Sequence, residues 1–266
     1  MKAIKVLIVR TAGTNCDQET KVAFEILGAK VELMHVNDLV KSKEKLFNYQ
    51  IIAFPGGFTY GDDIAAGKIL ANELKMKLRD ELDRFLHKNR LMIGICNGFQ
   101  VLVKMGVLPG NVPWKQEATL ANNDSGRFDD RWVYLKQAAS CKPQAANRCV
   151  WTREIDEVIY LPVAHGEGKF IPADDTLLRK LKADGQIVFQ YCDREGGEPL
   201  YPDNPNGSIA HIAGICDRTG RIFGLMPHPE RFLFRTQHPR WTRQKNSDVP
   251  DGLKIFRSAL NFLKRA

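Results

Sequence analysis

The chain has 266 residues, of which 44% are hydrophobic and 26% charged, and its formal net charge is +8. These values are ordinary for a globular enzyme and exclude a disordered chain. No apolar run approaches the roughly 20 residues that a membrane span requires, so we expect a cytoplasmic protein with no membrane contact. The positive charge favours anionic partners in general but does not choose among them.

Cysteine usage bears on both redox compartment and metal binding. The six cysteines form no CxxC pair, and no His/Cys cluster has zinc-ligand spacing. We therefore expect free thiols in a reducing compartment and no metal site. The cysteines are Cys16, Cys96, Cys141, Cys149, Cys192 and Cys216.

Continuous apolar runs alternate with helical spacing over the first hundred residues. The pattern predicts strands at 6–9, 31–36, 51–54 and 91–95, with helices at 17–27, 73–87 and 99–105. This alternation indicates an α/β fold with a mostly parallel central sheet and helices on both faces. In such sheets, sites lie at the carboxyl ends of the strands.

The rhythm changes beyond about residue 111, where short strands predict an antiparallel extension of the sheet. They are placed at 131–135, 157–163, 186–191, 209–216 and 222–226, the last two forming a hairpin, and a helix covers 251–264. No internal repeat or low-complexity linker interrupts the chain, so we expect a single domain over 1–266.

Cys96 lies between two glycines, where a predicted strand passes into a predicted helix. An arbitrary cysteine is usually a buried core residue. A strand–turn–helix context is instead typical of a nucleophile held on a sharp turn, and a helix N-terminus favours the thiolate form. We therefore predict that Cys96 is a catalytic nucleophile.

His228 and Glu230 follow another predicted strand and are separated by Pro229. A nucleophilic thiol needs a base, and the base needs an orienting acceptor. Alone, His228 could be an ordinary loop histidine. Combined with Cys96 at a second strand end, it is the best base among the six histidines, and a Cys-His-Glu hydrolase is indicated.

The Pro55-Gly56-Gly57 turn also follows a predicted strand. A plain turn is the simpler interpretation, and an oxyanion hole is the functional one. Fixed backbone N–H donors stabilise the oxygen that becomes negative during attack on an amide, by about 3 kcal/mol each. On the functional interpretation, glycine lets the turn direct a backbone N–H towards that oxygen, and the second donor is the backbone N–H of Asn97; for an isolated Pro-Gly-Gly the plain turn is favoured.

Two further segments are ambiguous. His165 opens His-Gly-Glu-Gly, which could be a plain turn or part of a site. The stretch 231–245 holds five cations and no acid, and could bind single-stranded nucleic acid, but a solvated or partner-binding surface is the favoured interpretation.

Several segments match, in chain order, the motifs of a known protein family. They are Gly13 to Asp17, Pro55 to Phe58, Tyr60 to Asp63, Gly94 to Gln100, Pro162 to Gly168, Asn204 to Ser208 and Met226 to Arg231. Together they resemble class I glutamine amidotransferases and, more narrowly, the glutaminase subunits of phosphoribosylformylglycinamidine synthase, which act in purine biosynthesis. The Asn97-Gly98-Phe99 and His165-Gly-Glu-Gly variants narrow the class to that subunit.

The resemblance implies a role for each matched residue. Cys96 would attack the side-chain amide of L-glutamine, His228 would shuttle protons, and Glu230 would orient His228. Gly57 and Asn97 would hold the oxyanion. The residues implied in substrate binding are Gly56, Phe58, Gln100 and His165.

The resemblance also implies partners. Ammonia would pass to a large synthetase subunit that uses ATP and Mg²⁺ to amidate formylglycinamide ribonucleotide, and a small third subunit would bridge the two. No P-loop is present, so no cofactor is expected on this chain. The chain is longer than compact members, with extra length at about 136–156 and 234–249, which bears on docking rather than chemistry.

Three alternatives stay open at this level. The chain could serve a different amidotransferase, or be another cysteine hydrolase of a related fold. It could also be a non-enzymatic partner-binding module in which Cys96 is only a buried thiol. Nucleic-acid binding through 231–245 is not expected.

Overall fold

The computed structural model describes residues 3–139, 148–155, 158–243 and 249–265. The strands in these ranges are β1 Lys5–Arg10, β2 Lys30–His35, β3 Ile51–Phe54, β4 Leu91–Ile95, β5 Ala118–Ala121, β6 Asp129–Gln137, β7 Ile159–His165, β8 Lys169–Pro172, β9 Ile187–Cys192, β10 Ile212–Cys216 and β11 Ile222–Leu225. The helices are α1 Asp17–Ile26, α2 Val36–Lys41, α3 Lys68–Lys77, α4 Arg79–Leu86, α5 Asn97–Met105, α6 Asp175–Ala183 and α7 Asp251–Arg265.

Nine of the described strands form one sheet in the order β2-β1-β3-β4-β11-β10-β9-β6-β7. From β2 to β11 neighbouring strands are parallel, and from β11 to β7 they are antiparallel. The remaining two, β5 and β8, pair as a small antiparallel sheet. The predicted α/β architecture with an antiparallel extension is confirmed.

The central strands are buried along their whole length, as their continuous apolar sequences predict. Every residue of β3, β4 and β11 is buried, because helices cover the sheet. One helix pair, α1 and α7, meets through Phe24 and Phe256, whose ring centroids lie 5.0 Å apart. Helices α3 and α5 form a second contacting pair. None of the helices in the described ranges is both long and apolar enough to cross a bilayer.

Some predicted elements differ from the structure. The expected helix at 73–87 is two helices, α3 and α4, because Leu78 between them has a non-helical backbone with φ −132° and ψ 11°. The expected strand at 209–216 begins only at Ile212, since Ala210 and His211 adopt positive φ. Three parts of the predicted segments lie outside the described residues: 140–147 and 156 within the extra length at 136–156, position 157 of the predicted strand, and 244–248 within the extra length at 234–249.

Three adjacent parallel strands bring the predicted site together. Strands β3, β4 and β11 are neighbours in the sheet, so their carboxyl ends share one edge. The Pro55-Gly56-Gly57 turn follows β3, Cys96 follows β4, and His228 lies shortly after β11. The Cys96 N–H donates to Leu225 O at 2.8 Å, which ties the ends of β4 and β11.

Candidate active site

Cys96 forms the whole connection between β4 and α5, and its backbone is strained. Its φ of 50° and ψ of −106° lie in a region that L-residues rarely adopt. The side chain is only 6% exposed, and its thiol donates to Ala164 O at 3.8 Å. This is the backbone geometry of a nucleophile on a strand–helix elbow.

The flanking glycines allow close packing rather than unusual dihedral angles. A Cβ added at Gly98 would lie 1.9 Å from Phe54 O, and one added at Gly94 would lie 2.5 Å from Gly98 O. Helix α5 can therefore approach β3 and β4 only if both positions lack a side chain.

His228 and Glu230 form a buried pair. Nδ1 of His228 lies 2.7 Å from Oε1 of Glu230, and their side chains are 2% and 0% exposed. Because a carboxylate accepts, Nδ1 carries the proton. Burial by itself lowers the pKa of His228, but Glu230 and then Cys96 more than reverse this and raise it well above its usual value. Nε2 makes no hydrogen bond to any residue in the described ranges, so it is the ring nitrogen left for Cys96.

The loop after β1 holds the Gly56-Gly57 turn in place. The Phe58 N–H donates to Gly13 O at 2.8 Å, and the Cys16 N–H donates to Gly56 O at 3.2 Å. Gly57 has a φ of +143°, and a Cβ there would lie 2.7 Å from Gly13 O. Only glycine fits, and the hydrogen bonds on either side fix the orientation of its peptide.

Asn97 is anchored by its side chain. Its Oδ1 accepts from the Thr59 hydroxyl at 2.6 Å, and its Nδ2 donates to Asp62 Oδ1 at 3.0 Å. The backbone N–H of Asn97 belongs to the first turn of α5, where such groups have no acceptor within the helix. Both predicted oxyanion donors thus lie in rigid surroundings beside the elbow.

The residues predicted to bind substrate are placed differently from one another. Gln100 is engaged at both ends of its amide, since Oε1 accepts from Asn97 Nδ2 at 3.2 Å and Nε2 donates to Glu167 O at 2.5 Å. Gly56 lies against the imidazole, where a Cβ would be 2.7 Å from Cε1 of His228. Phe58 is 47% exposed and faces solvent.

His165 is buried in a network of amides. Its Nδ1 lies 3.1 Å from Asn123 Oδ1 and its Nε2 lies 3.4 Å from Asn206 Nδ2, so both ring nitrogens have partners. Burial lowers the pKa of His165 to about 4. The ring is therefore neutral near pH 7, and its substrate role stays a prediction.

Sequence reasoning missed Cys16 and Arg231 as site residues. Sγ of Cys16 lies 4.0 Å from Nδ1 of His228, and Nη2 of Arg231 donates to this sulfur at 3.1 Å. The available signal was the position of the Gly13 to Asp17 segment directly after β1, a neighbour of β3 at the same sheet edge. Arg231 is half-buried and faces inward, so it is not part of a solvent-facing basic surface.

Cys16, His228 and Glu230 also have the donor types of a metal site. Their ligand atoms lie within 4.8 Å of one another. A cation there would displace the Nδ1 proton that binds Glu230 and would sit beside the Arg231 guanidinium. This arrangement disfavours a metal, and the expectation of no metal stays a prediction.

Comparisons with known proteins agree with this geometry. Residues 3–263 match the family model of the CobB/CobQ-like glutamine amidotransferase domain. The chain is 48% identical to phosphoribosylformylglycinamidine synthase subunit PurQ of Dehalococcoides mccartyi over 266 residues, which is 100% of both chains. It is 43% identical to the protein of the same name from Methanococcus maripaludis, with 98% of each chain covered.

Solved structures of glutamine amidotransferases also resemble this chain. A chain in the structure of PurLQS from Thermotoga maritima matches with a TM-score of 0.72 and 30% identity, covering 98% of this chain and 100% of that one. A glutamine amidotransferase, also from Thermotoga maritima, matches with a TM-score of 0.55 and 17% identity over 100% of both chains, which shows a shared fold. The chain belongs to the glutamine amidotransferase family and, within it, to the glutaminase subunits of phosphoribosylformylglycinamidine synthase.

Proposed function

We propose that this chain hydrolyses L-glutamine to glutamate and ammonia through Cys96, His228 and Glu230. The observation that carries this proposal is a buried His228, bound at Nδ1 by Glu230 and unbonded at Nε2 within the described ranges, beside a cysteine on a strained strand–helix elbow. A base oriented in this way, next to a thiol, is the arrangement needed for acyl transfer.

The reaction begins when Nε2 of His228 takes the proton of the Cys96 thiol and the sulfur attacks the side-chain carbonyl carbon of glutamine. A C–S bond forms, and the carbonyl electrons move to the oxygen, which the backbone N–H groups of Gly57 and Asn97 stabilise. The tetrahedral intermediate collapses with cleavage of the C–N bond, and His228 gives its Nε2 proton to the leaving amine. Ammonia departs and a glutamyl thioester stays on Cys96.

Water then completes the cycle. His228, neutral again at Nε2, takes a proton from a water molecule that attacks the thioester carbonyl. A C–O bond forms, the C–S bond breaks, and the proton returns to the sulfur as glutamate leaves. Glu230 holds the Nδ1 proton throughout and stabilises the positive charge on the imidazole in both steps.

The ammonia serves a partner chain. The relatives are named as subunits of phosphoribosylformylglycinamidine synthase, and the matched chain from Thermotoga maritima belongs to PurLQS, a complex with further subunits. Accordingly, a large synthetase subunit receives the ammonia and uses ATP and Mg²⁺ to convert formylglycinamide ribonucleotide to the amidine, with a small bridging subunit. The isolated chain should have low glutaminase activity, because hydrolysis without an acceptor wastes glutamine.

The proposal is tested by measuring glutamate release from glutamine with the synthetase subunit present. Cys96→Ala should abolish release while leaving the thermal midpoint nearly unchanged. Cys192→Ala is the matched control, since Cys192 is also buried but lies at the end of β9, and it should retain activity. Undiminished release by Cys96→Ala would refute the proposed nucleophile.

A further inference from the structure

Two sequence motifs outside the triad meet beside the catalytic histidine. Cys16 precedes α1 at the carboxyl end of β1, and Arg231 follows Glu230 in the turn after β11. Nη2 of Arg231 donates to the Cys16 sulfur at 3.1 Å, and the Cys16 thiol donates to Asn15 Oδ1 at 3.2 Å. The cysteine is 1% exposed, so this is an interior contact.

The carboxylate of Glu230 is only half engaged. Oε1 accepts from His228, whereas Oε2 is buried and accepts no hydrogen bond from the described part of the chain. A buried carboxylate oxygen normally attracts a donor. The guanidinium of Arg231 is close enough for its charge to interact with Glu230, yet its hydrogen bond goes to sulfur instead.

We propose that Cys16 is a positioning residue whose sulfur holds Arg231 away from the free oxygen of Glu230. The negative charge of Glu230 is therefore not neutralised by Arg231 and stabilises protonated His228. This inference rests on the proposed glutaminase function, because it concerns the stability of the protonated imidazole during that reaction.

Cysteine suits this position for two physical reasons. Its thiol accepts from Arg231 without adding a second negative charge beside Glu230, since burial raises the pKa of Cys16 and keeps it protonated. Sulfur is also a weak hydrogen-bond acceptor, so at 4.0 Å from Nδ1 it does not compete with Glu230 for the imidazole proton.

All charged and titratable neighbours of the imidazole bear on the expected effect. Glu230 and Cys96 favour its protonated form, as does the contact with Cys16, while His165 on β7 opposes it when protonated. His165 is neutral above about pH 4, so it does not contribute near neutrality. Arg231 also faces Glu19 of α1, a second acid that helps to keep it charged.

Loss of the sulfur should therefore weaken the Cys96–His228 pair. In Cys16→Ala, Arg231 turns to Oε2 of Glu230 and neutralises the charge that stabilises protonated His228. The imidazole then accepts the proton of Cys96 less readily, so the sulfur is a weaker nucleophile at a given pH. The same change brings a positive charge closer to the imidazole, which acts in the same direction.

The test is the pH dependence of Cys96 alkylation by iodoacetamide, read as modification of the peptide that contains Cys96. In Cys16→Ala the alkylation midpoint should rise by about one pH unit. In the double variant Cys16→Ala/Arg231→Gln it should return towards the wild-type value, and Arg231→Gln alone should not raise it. An unchanged midpoint in Cys16→Ala, or a rise that persists in the double variant, would overturn the proposal.

Two separate readouts distinguish this inference from the proposed function. The pH dependence of alkylation reports the interaction between Cys96 and His228 and does not require glutamine turnover. Glutamate release by the complex is measured in parallel and reports the proposed function. If Cys96→Ala retains turnover, the proposed function fails whatever the alkylation profile. If Cys16→Ala does not fold, Arg231→Gln still tests the proposal. A raised alkylation midpoint in Arg231→Gln would show that Arg231 stabilises protonated His228, whereas the proposal requires that Arg231 can only destabilise it.

Discussion

Oε1 of Glu230 lies 2.7 Å from Nδ1 of His228, and this contact supports the proposal that Cys96, and not Cys16, is the nucleophile. Cys16 lies 4.0 Å from the same nitrogen, on the edge of the ring that Glu230 already occupies. The reacting thiol must exchange its proton with Nε2, which is unbonded within the described ranges. We propose that Cys96, on its strained elbow, is the cysteine that meets this requirement.

The first prediction concerns the charge of Glu230. Glu230→Gln retains a hydrogen-bond acceptor for Nδ1 but removes the negative charge that raises the pKa of His228. We expect kcat/KM for glutamine to fall by roughly 10²–10⁴-fold, as when a catalytic histidine loses its charged partner. The alkaline limb of the pH–rate profile should also move to lower pH, because the imidazole loses its proton more readily.

Steady-state glutamate release across pH, with the synthetase subunit present, measures both effects. The matched control is the same Glu-to-Gln substitution at a less buried site. Glu154→Gln alters an acid that pairs with Arg257 and Arg265 at the surface of α7, and it should leave the profile unchanged. An unaltered pH profile in Glu230→Gln would mean that Glu230 does not stabilise the protonated imidazole.

The second prediction concerns the packing of the elbow. A Cβ at Gly98 would lie 1.9 Å from Phe54 O, a backbone atom of a central strand that cannot move aside cheaply. We expect Gly98→Ala to lower the free energy of unfolding by about 3 kcal/mol, the upper end of the range for overpacked cores. Urea unfolding followed by circular dichroism provides the value.

Gly166 offers a matched control for that substitution. A Cβ there would have only Phe128 nearby, at 3.8 Å, which is ordinary van der Waals contact. Gly166→Ala should change the free energy of unfolding by less than about 1 kcal/mol. Equal stability losses in the two variants would show that close packing is not the reason for glycine at 98.

The third prediction follows from the lowered pKa of His165. An unfolded histidine has a pKa of about 6.5, so between pH 6.5 and 4 the unfolded chain binds a proton that folded His165 does not. Stability from this residue is therefore full above pH 6.5 and is lost as pH falls through that window. Between pH 7 and pH 5 the loss should be about 2 kcal/mol.

A comparison of the wild type with His165→Gln isolates this contribution. The variant starts from a lower free energy of unfolding, but its loss between pH 7 and pH 5 should be smaller by that amount. His228 does not mask the effect, because both proteins contain it and its contribution cancels in the comparison. Parallel pH dependences for the two proteins would contradict a neutral buried His165.

The fourth prediction concerns the anchoring of Asn97. Asn97→Ala removes the bonds to Thr59 and Asp62 and frees the first turn of α5, which carries a proposed oxyanion donor. We expect kcat to fall by roughly 10–100-fold with a smaller change in KM, since misplacement by about 1 Å costs that much. Asn89→Ala, which alters an exposed asparagine bonded to Arg221, should leave kcat unchanged. A rise in KM of the same size, with kcat unchanged, would instead indicate that Asn97 contributes to substrate binding.

Much of the fold could be predicted because its signals are local. The apolar runs of β1, β3 and β4 are long enough to require burial on both faces, and Gly28 ends α1 in the left-handed conformation. The break at Leu78 could not be predicted, because α3 and α4 each have good helical spacing and tertiary packing sets the angle between them. The short strands β5 and β8 are stabilised by pairing with each other rather than by their own sequences.

The same holds for the site. Residues with a local sequence signal could be predicted, and residues whose role depends on distant segments could not. Cys96, His228 and the Gly56-Gly57 turn follow strands that the sequence predicts, so their convergence follows from the parallel sheet. Cys16 was not found because a thiol gains its role there only from Arg231, which is distant in sequence. The engaged amide of Gln100 likewise depends on Glu167, in a loop whose position the sequence does not indicate.

The central claim is that Cys96 carries the glutamyl group between the two half-reactions. The most direct measurement is an acid quench of the synthetase complex during glutamine turnover, followed by mass spectrometry of the cysteine-containing peptides. The glutamyl adduct should be found on the peptide that contains Cys96, and Cys16 should be unmodified. An adduct on Cys16, or steady turnover with no adduct on Cys96 at any quench time, would contradict the claim.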